Sequence, residues 1–169
     1  MLSDKIQNAL NKQVGKENDA SHCYLSMASW LDNSGLHGSA RFLYEHAEQE
    51  RGHMMKLFRY VNDAGGHALV QAVEEPAHAF QSLSEIMGLV LKQEQSVTES
   101  INALVGVCLS EKDFSTFNFL QWYVAEQHEE ERLFKSINDL IRIAGADGRG
   151  LFLIDKEIGK MAGMAVKKT

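Results

Sequence analysis

Six side chains of metal-binding type recur at helical spacing along this chain: Glu17, the pair Glu50 and His53, Glu94, and the pair Gln127 and Glu130. Each falls where an apolar stripe should continue. Val14 stands three positions before Glu17 and Tyr24 seven positions after it, nearly two turns, so Glu17 shares a face with core residues. Glu50 and His53, spaced i, i+3, interrupt the run Leu43, Ala47, Met54, Leu57 and Val61. Glu94 lies between Val90 and Val97, and Gln127 with Glu130 lies between Val124 and Phe134. One mid-helix Glu on an apolar face is ordinarily a surface residue. Four coincident gaps filled by one class of residue need another reason.

Left unpaired, the group is physically poor. A buried ionised carboxylate costs several kcal/mol even after relaxation. Clustered carboxylates repel, so that some hold their protons, and no Lys or Arg lies on these stripes. Two divalent cations would balance about four negative charges. Carboxylates with one imidazole and no thiolate suit iron, manganese or zinc. A Glu from an i, i+3 pair bridging two ions is the simplest geometry.

The elements that must position these residues are long helices. The chain holds a single proline, Pro76, and prolines punctuate turns. Stripes of apolar residues predict helices over about 3–33, 39–64, 83–111 and 114–144, with a short fifth over about 150–162. Glycine-bearing stretches, NSGLHG, AGG and AGADGRG, end three of them. Ser82 and Glu85 form a capping box, and Asp113 is placed to cap the fourth helix. At ~1.5 Å per residue each long helix is about 40 Å in length. Short connections make the first pair and the last pair antiparallel. The connection before the third helix is roughly 16 residues and can run the length of the bundle at ~3.3 Å per residue. The third helix can then lie parallel to the second. Helices of equal length bring their midpoints to one level, so Glu17, Glu50, Glu94 and Gln127 should converge inside the core. The segment LFLIDKEIGKMAGMA carries Leu151, Phe152, Leu153, Ile154, Ile158 and Met161. So short a helix is marginal alone and wants a partner.

Composition narrows the class. A chain of 169 residues suits one domain, 1–169, and a net charge of −6 opposes nucleic-acid binding. Cys23 and Cys108 lie in helical patterns without CxxC spacing, which reads as free thiols in a reducing compartment. No run approaches the ~18 apolar residues of a membrane span, and MLSDKIQNAL has no apolar signal core. A cytoplasmic protein with no membrane partner is expected.

On these residues the chain resembles the bacterial non-haem ferritins over its whole length. The match includes Glu17, ERGH at 50–53, Glu94 and AEQHEEE at 125–131. The resemblance implies an all-α, ferritin-like four-helix bundle with one long crossover between the second and third helices and a short fifth C-terminal helix. It implies that Glu17, Glu50 and His53 hold one iron, that Glu50 bridges, and that Glu94 and Glu130 hold a second. Gln127 would contact bound oxygen species, and Tyr24 would be a redox-active or hydrogen-bonding neighbour. A third iron site would draw on Glu126, Glu129 and Glu130, with Gln49 where the family usually has Glu. Helix four has no second Glu-x-x-His, which sets the chain apart from bacterioferritins and di-iron oxygenases. Arg51 stands where a haem-ligating Met would be, so no haem is expected.

The implied activity is oxidation of Fe(II) by O2 or H2O2 at a dinuclear centre. Fe(III) would then be stored as a hydrous oxide inside a homo-oligomeric cage of twenty-four subunits. In such a cage the fifth helix clusters around a four-fold axis. The alternative is a di-iron oxidase or peroxidase of the same fold without mineral storage. A rubrerythrin-like relative would add CxxC, and a DNA-protecting small ferritin would want a Lys-rich arm where this chain offers only Lys167 and Lys168. His46 and His128 neighbour the acidic cluster and could tune it. Trp122 reads as core, and Glu111 and Asp113 sit where an entry channel would open.

Overall fold

The computed structural model describes residues 2–145 and 147–163; Lys167 and Lys168 lie outside the described residues. The described chain forms five helices, α1 (Asp4–Asn33), α2 (His37–Asp63), α3 (Leu83–Ser110), α4 (Phe114–Ala144) and α5 (Gly148–Met161). Local chemistry starts four of them. Ser3, Ser82, Asp113 and Asp147 each accept a hydrogen bond from a first-turn backbone N–H, those of Ile6, Glu85, Thr116 and Gly150. At α3 the reciprocal bond comes from Gln81 N to Glu85 Oε2, one residue ahead of the cap.

Helix α2 has no cap of its own. Its first free N–H groups are taken by the Asp155 carboxylate of α5, from Gly38 N at 3.1 Å and Ser39 N at 2.7 Å. The helix therefore begins at His37, ahead of the expected Ser39, because its cap comes from the other end of the sequence. Close approach makes this possible. A Cβ on Gly38 would stand 2.1 Å from the Asp155 carbonyl oxygen, and one on Gly159 would stand 2.9 Å from the Gly38 Cα. Arg41 also donates to the Gly159 carbonyl.

The segment from 64 to 82 is an irregular crossover that runs along α1. Asn11 donates to His67 O at 3.0 Å and accepts from Leu69 N at 2.9 Å, Ser26 donates to Ala77 O at 2.7 Å, and Trp30 meets Phe80 edge-on. The chain thus passes from one end of the bundle to the other. Ser100 contacts Gln13 while Glu94 contacts Tyr24, so α3 is antiparallel to α1. It therefore runs parallel to α2.

Two apolar layers form the core. One holds Leu31, Phe42, Leu43, Met87, Val90, Phe134 and Ile137, together with Ile154 and Ile158 of α5. The other holds Ile6, Leu10, Leu57, Val61, Ile101, Leu104 and Leu120. Between them lies a band of buried polar side chains. Of the apolar residues of α5, Ile154 and Ile158 are buried against this bundle, while Phe152 and Leu153 remain more than half exposed.

Candidate metal centre

The polar band is built one or two residues at a time from the four long helices. Glu17 comes from α1, Glu50 and His53 from α2, Glu94 from α3, and Gln127 and Glu130 from α4. All are more than nine-tenths buried. Their faces are set by the apolar residues a turn away, which sink into the two core layers and carry the polar side chains inward with them.

Glu17, Glu50 and His53 form the tightest group: one donor atom from each lies within 4.8 Å of the others. His53 Nδ1 is 3.3 Å from Glu50 Oε2 and 3.9 Å from Glu17 Oε2. Glu94 faces them across the bundle. It accepts from the Tyr24 hydroxyl, and from Gln127 Nε2 at 3.1 Å. Glu130 completes the band from α4, with Oε2 3.4 Å from His46 Nε2.

The electrostatics show the cost of burying these carboxylates together. Burial drives the Glu17 carboxyl well above the ordinary range, and the Glu50 charge adds to it. Glu50 is raised in the same way, by burial first and then by Glu94. Burial lifts Glu94 to about 7; the Tyr24 hydrogen bond opposes the shift and the Glu130 charge adds to it. Glu17, Glu50 and Glu94 are thus harder to ionise, by burial first and then by a neighbouring carboxylate's charge, and a bound cation would relieve both. Glu17 Oε2 is buried without a hydrogen-bond partner, whereas Glu130 Oε2 faces His46 Nε2 at 3.4 Å, and although burial opposes it this pairing leaves the His46 pKa raised. Unpaired buried acceptors are costly, and oxygen donors with one imidazole are what a divalent first-row metal requires. The residues present fit such ions.

Other residues of the band have distinct places. Gln13 donates to Glu17 Oε1 at 2.5 Å and accepts from Ser100 at 2.6 Å, tying α1 to α3 beside the carboxylate. The sequence stripes did not single it out, although it lies one turn before Glu17. Tyr123, one turn before Gln127, was missed for the same reason. It is fully buried, and burial and the Glu17 charge raise its hydroxyl pKa far above normal. Its ring is stacked on Trp122 and lies 5.2 Å from the His53 ring. Trp122 also carries Lys56 Nζ 3.6 Å from its ring centre.

Gln49, Glu126 and Glu129 lie outside the buried group. With Glu130 they line a recess of about 650 Å³. Gln49 and Glu126 are half-buried, and Glu129 is exposed, as is His128. Asp113 caps α4 and accepts from Thr116 Oγ1 at 2.6 Å, and Glu111 pairs with Lys5 at 3.2 Å on the surface. Both have structural partners at the turn where an entry channel was expected.

Four antiparallel and parallel helices around buried carboxylates and a histidine define the class of carboxylate–histidine helix bundles. Comparison with known proteins makes the class specific. Residues 7–144 match the model of the ferritin family, described as a ferritin-like domain, and the chain belongs to that family. It is 49% identical to a probable bacterial non-heme ferritin-like protein of Haemophilus influenzae, over 96% of this chain and 98% of that one. It is 46% identical to the bacterial non-heme ferritin of Campylobacter jejuni, over 96% and 97% of the two chains. Among solved structures, the open pore ferritin of Archaeoglobus fulgidus superposes with a TM-score of 0.92 at 41% identity, covering 94% of this chain and 98% of that chain. Chlorobium tepidum ferritin gives 0.84 at 48% identity, covering 95% and 98%.

Proposed function

We propose that this ferritin takes up Fe(II), oxidises it at a dinuclear centre in the buried band, and stores the Fe(III) as hydrous oxide inside a closed homo-oligomeric shell. The observation that supports it most is the convergence of Glu17, Glu50, His53, Glu94 and Glu130 between two apolar layers, with no Lys or Arg among the buried polar side chains of the described residues. Glu17 and His53 would bind one Fe(II), Glu94 and Glu130 the other, and Glu50 would bridge them. Each Fe(II) gives up one electron, and a pair reduces O2 to H2O2 with uptake of two protons. Peroxide can serve as the oxidant in turn.

The protein's own groups shape this chemistry. Gln13 holds one oxygen of Glu17, and Gln127 and Tyr24 hold Glu94. Both carboxylates are thereby aimed before iron arrives. Tyr24 and Gln127 border the place where the oxidant would stand. Oxygen donors bind Fe(II) exchangeably, so the oxidised product can leave. Glu126, Glu129, Glu130 and Gln49 would line its way out, as a third, weaker iron site on the recess. A shell of twenty-four subunits is the assembly proposed.

The test is addition of Fe(II) to metal-free protein in air, followed by size-exclusion chromatography and an iron count. Rapid oxidation, a very large particle and an iron content far above three per chain support storage. A small oligomer that holds two irons per chain and forms no mineral would replace this reading with a di-iron oxidase or peroxidase. The Glu130→Ala variant should lose the fast oxidation phase and still assemble.

A further inference from the structure

A second recess, of about 210 Å³, opens between α3 and α4. Burial separates its floor from its mouth. Ile101 and Gln127 are buried, Thr98 and Val124 are half-buried, and Asn102 and His128 are exposed. The floor meets the metal-binding band through Gln127, whose Nε2 lies 3.1 Å from Glu94 Oε2 and 3.3 Å from the Glu94 carbonyl oxygen. Thr98 stands beside it with an unused hydroxyl: its Oγ1 is buried without a hydrogen-bond partner. A helical Thr can give its hydroxyl to the carbonyl four residues back, which for Thr98 is that of Glu94. The helix takes one lone pair of that oxygen and Gln127 the other. A buried hydroxyl left over in this way is costly, and a small polar guest would satisfy it.

We propose that this recess binds hydrogen peroxide and admits it to the dinuclear centre, with Thr98 and Gln127 as the hydrogen-bonding groups at its floor. The inference deepens the proposed function and rests on it, since peroxide has no use there without two Fe(II). Size supports it. A water takes about 30 Å³ of liquid, so the recess holds a guest of two oxygens with some water, and it is smaller than the ~300 Å³ at which pockets for organic ligands begin. Charge supports it too. No carboxylate lies on the floor, so an Fe(II) passing here would shed water without gaining an anionic ligand. A neutral molecule meets no such cost. The recess lined by Gln49, Glu126, Glu129 and Glu130 is the acidic one and suits cations. Peroxide both donates and accepts hydrogen bonds, which a hydroxyl and a carboxamide match; O2 cannot donate and gains little from either. At the centre the O–O bond breaks. It takes one electron from each of two Fe(II), and with two protons it leaves as two waters.

The test loads the full-length protein with Fe(II) without air, then mixes it with H2O2 or with O2 in a stopped-flow spectrometer. Thr98→Val keeps the shape of the side chain and removes its hydroxyl. Asn102→Trp puts a ring across the exposed mouth. Thr98→Val should lower the second-order rate with H2O2 about fivefold relative to the rate with O2, the effect of one ordinary hydrogen bond. Asn102→Trp should lower that ratio at least as far. An unchanged ratio in both variants would overturn the inference and leave the dinuclear reading standing. So would equal slowing with both oxidants, because the recess would then select neither. Wild-type protein that reacts fast with O2 but not with H2O2 would likewise overturn this inference alone. Wild-type protein that oxidises Fe(II) with neither oxidant would refute both readings.

Discussion

Within the buried band, Glu17 accepts from Gln13 and Glu94 from Gln127 and Tyr24, and each carboxylate makes a prediction. Gln13 is the side chain that donates to Glu17, and it reaches across to Ser100 of α3. Gln13→Leu should leave the bundle folded but let Glu17 swing. Loss of such a supporting partner typically weakens metal affinity or activity roughly 10- to 100-fold. Anaerobic Fe(II) titration by calorimetry reads the change; an unaltered affinity would show that Glu17 needs no support. Glu94 carries a pKa of about 7 against an ordinary 4.5. Its folded form keeps a proton that the unfolded chain has lost, so the folded state binds more protons between those values. Stability of the metal-free protein should therefore fall as pH rises from about 4.5 through about 7. A divalent cation should abolish that slope by replacing the proton. Thermal midpoints at a series of pH values, with and without Zn(II), test both statements. The sequence pattern singled out these carboxylates because a break in an apolar stripe is visible in one dimension. It did not single out Gln13 or Tyr123, each a turn from a band residue and polar enough to pass for helix surface.

The helices follow from local signals wherever those signals are local. Ser3, Ser82, Asp113 and Asp147 start α1, α3, α4 and α5 through bonds to residues three positions on. Helix α2 shows where such reading fails. Its cap, Asp155, is 116 residues from Ser39, and no window along the sequence contains both. The α2–α5 contact depends on this carboxylate and on two glycines. Asp155→Ala should cost about 1 kcal/mol, the usual value of a lost cap. It should free α5 for limited proteolysis before any other helix is cut. Gly38→Ala should be worse, since its new methyl would meet a backbone oxygen rather than a movable side chain. Neither variant touches the buried band, so the first fast phase of Fe(II) oxidation should survive in both. If that phase disappears with α5 displaced, the end of the bundle and the metal centre are coupled in a way their separate core layers do not suggest.

The proposed oxidation and the storage of iron belong to different levels of this molecule. The dinuclear centre proposed here lies within one bundle, and every ligand comes from the same chain. Storage needs walls that a single bundle does not have. The outer surface carries large apolar groups that one chain cannot cover, among them Phe152 and Leu153 of α5, Phe114 at the start of α4, and Ile143 near its end. Isolated exposed apolar residues are ordinary, but Phe152 and Leu153 are adjacent on a helix already docked through Ile154, Ile158 and Asp155. A docked helix that keeps apolar side chains outward is suited to meeting copies of itself, which is how the resemblance places it. Replacing both residues with Glu puts like charges at each such meeting point. The double variant should oxidise the first irons per chain at the wild-type rate, because its buried band is intact. It should retain far less iron per particle, because the shell is opened or fails to close. Stopped-flow absorbance and the iron content of the size-exclusion peak separate these outcomes. Full iron retention in the double variant would mean that α5 serves its own bundle and that the walls of the store are built elsewhere on the surface.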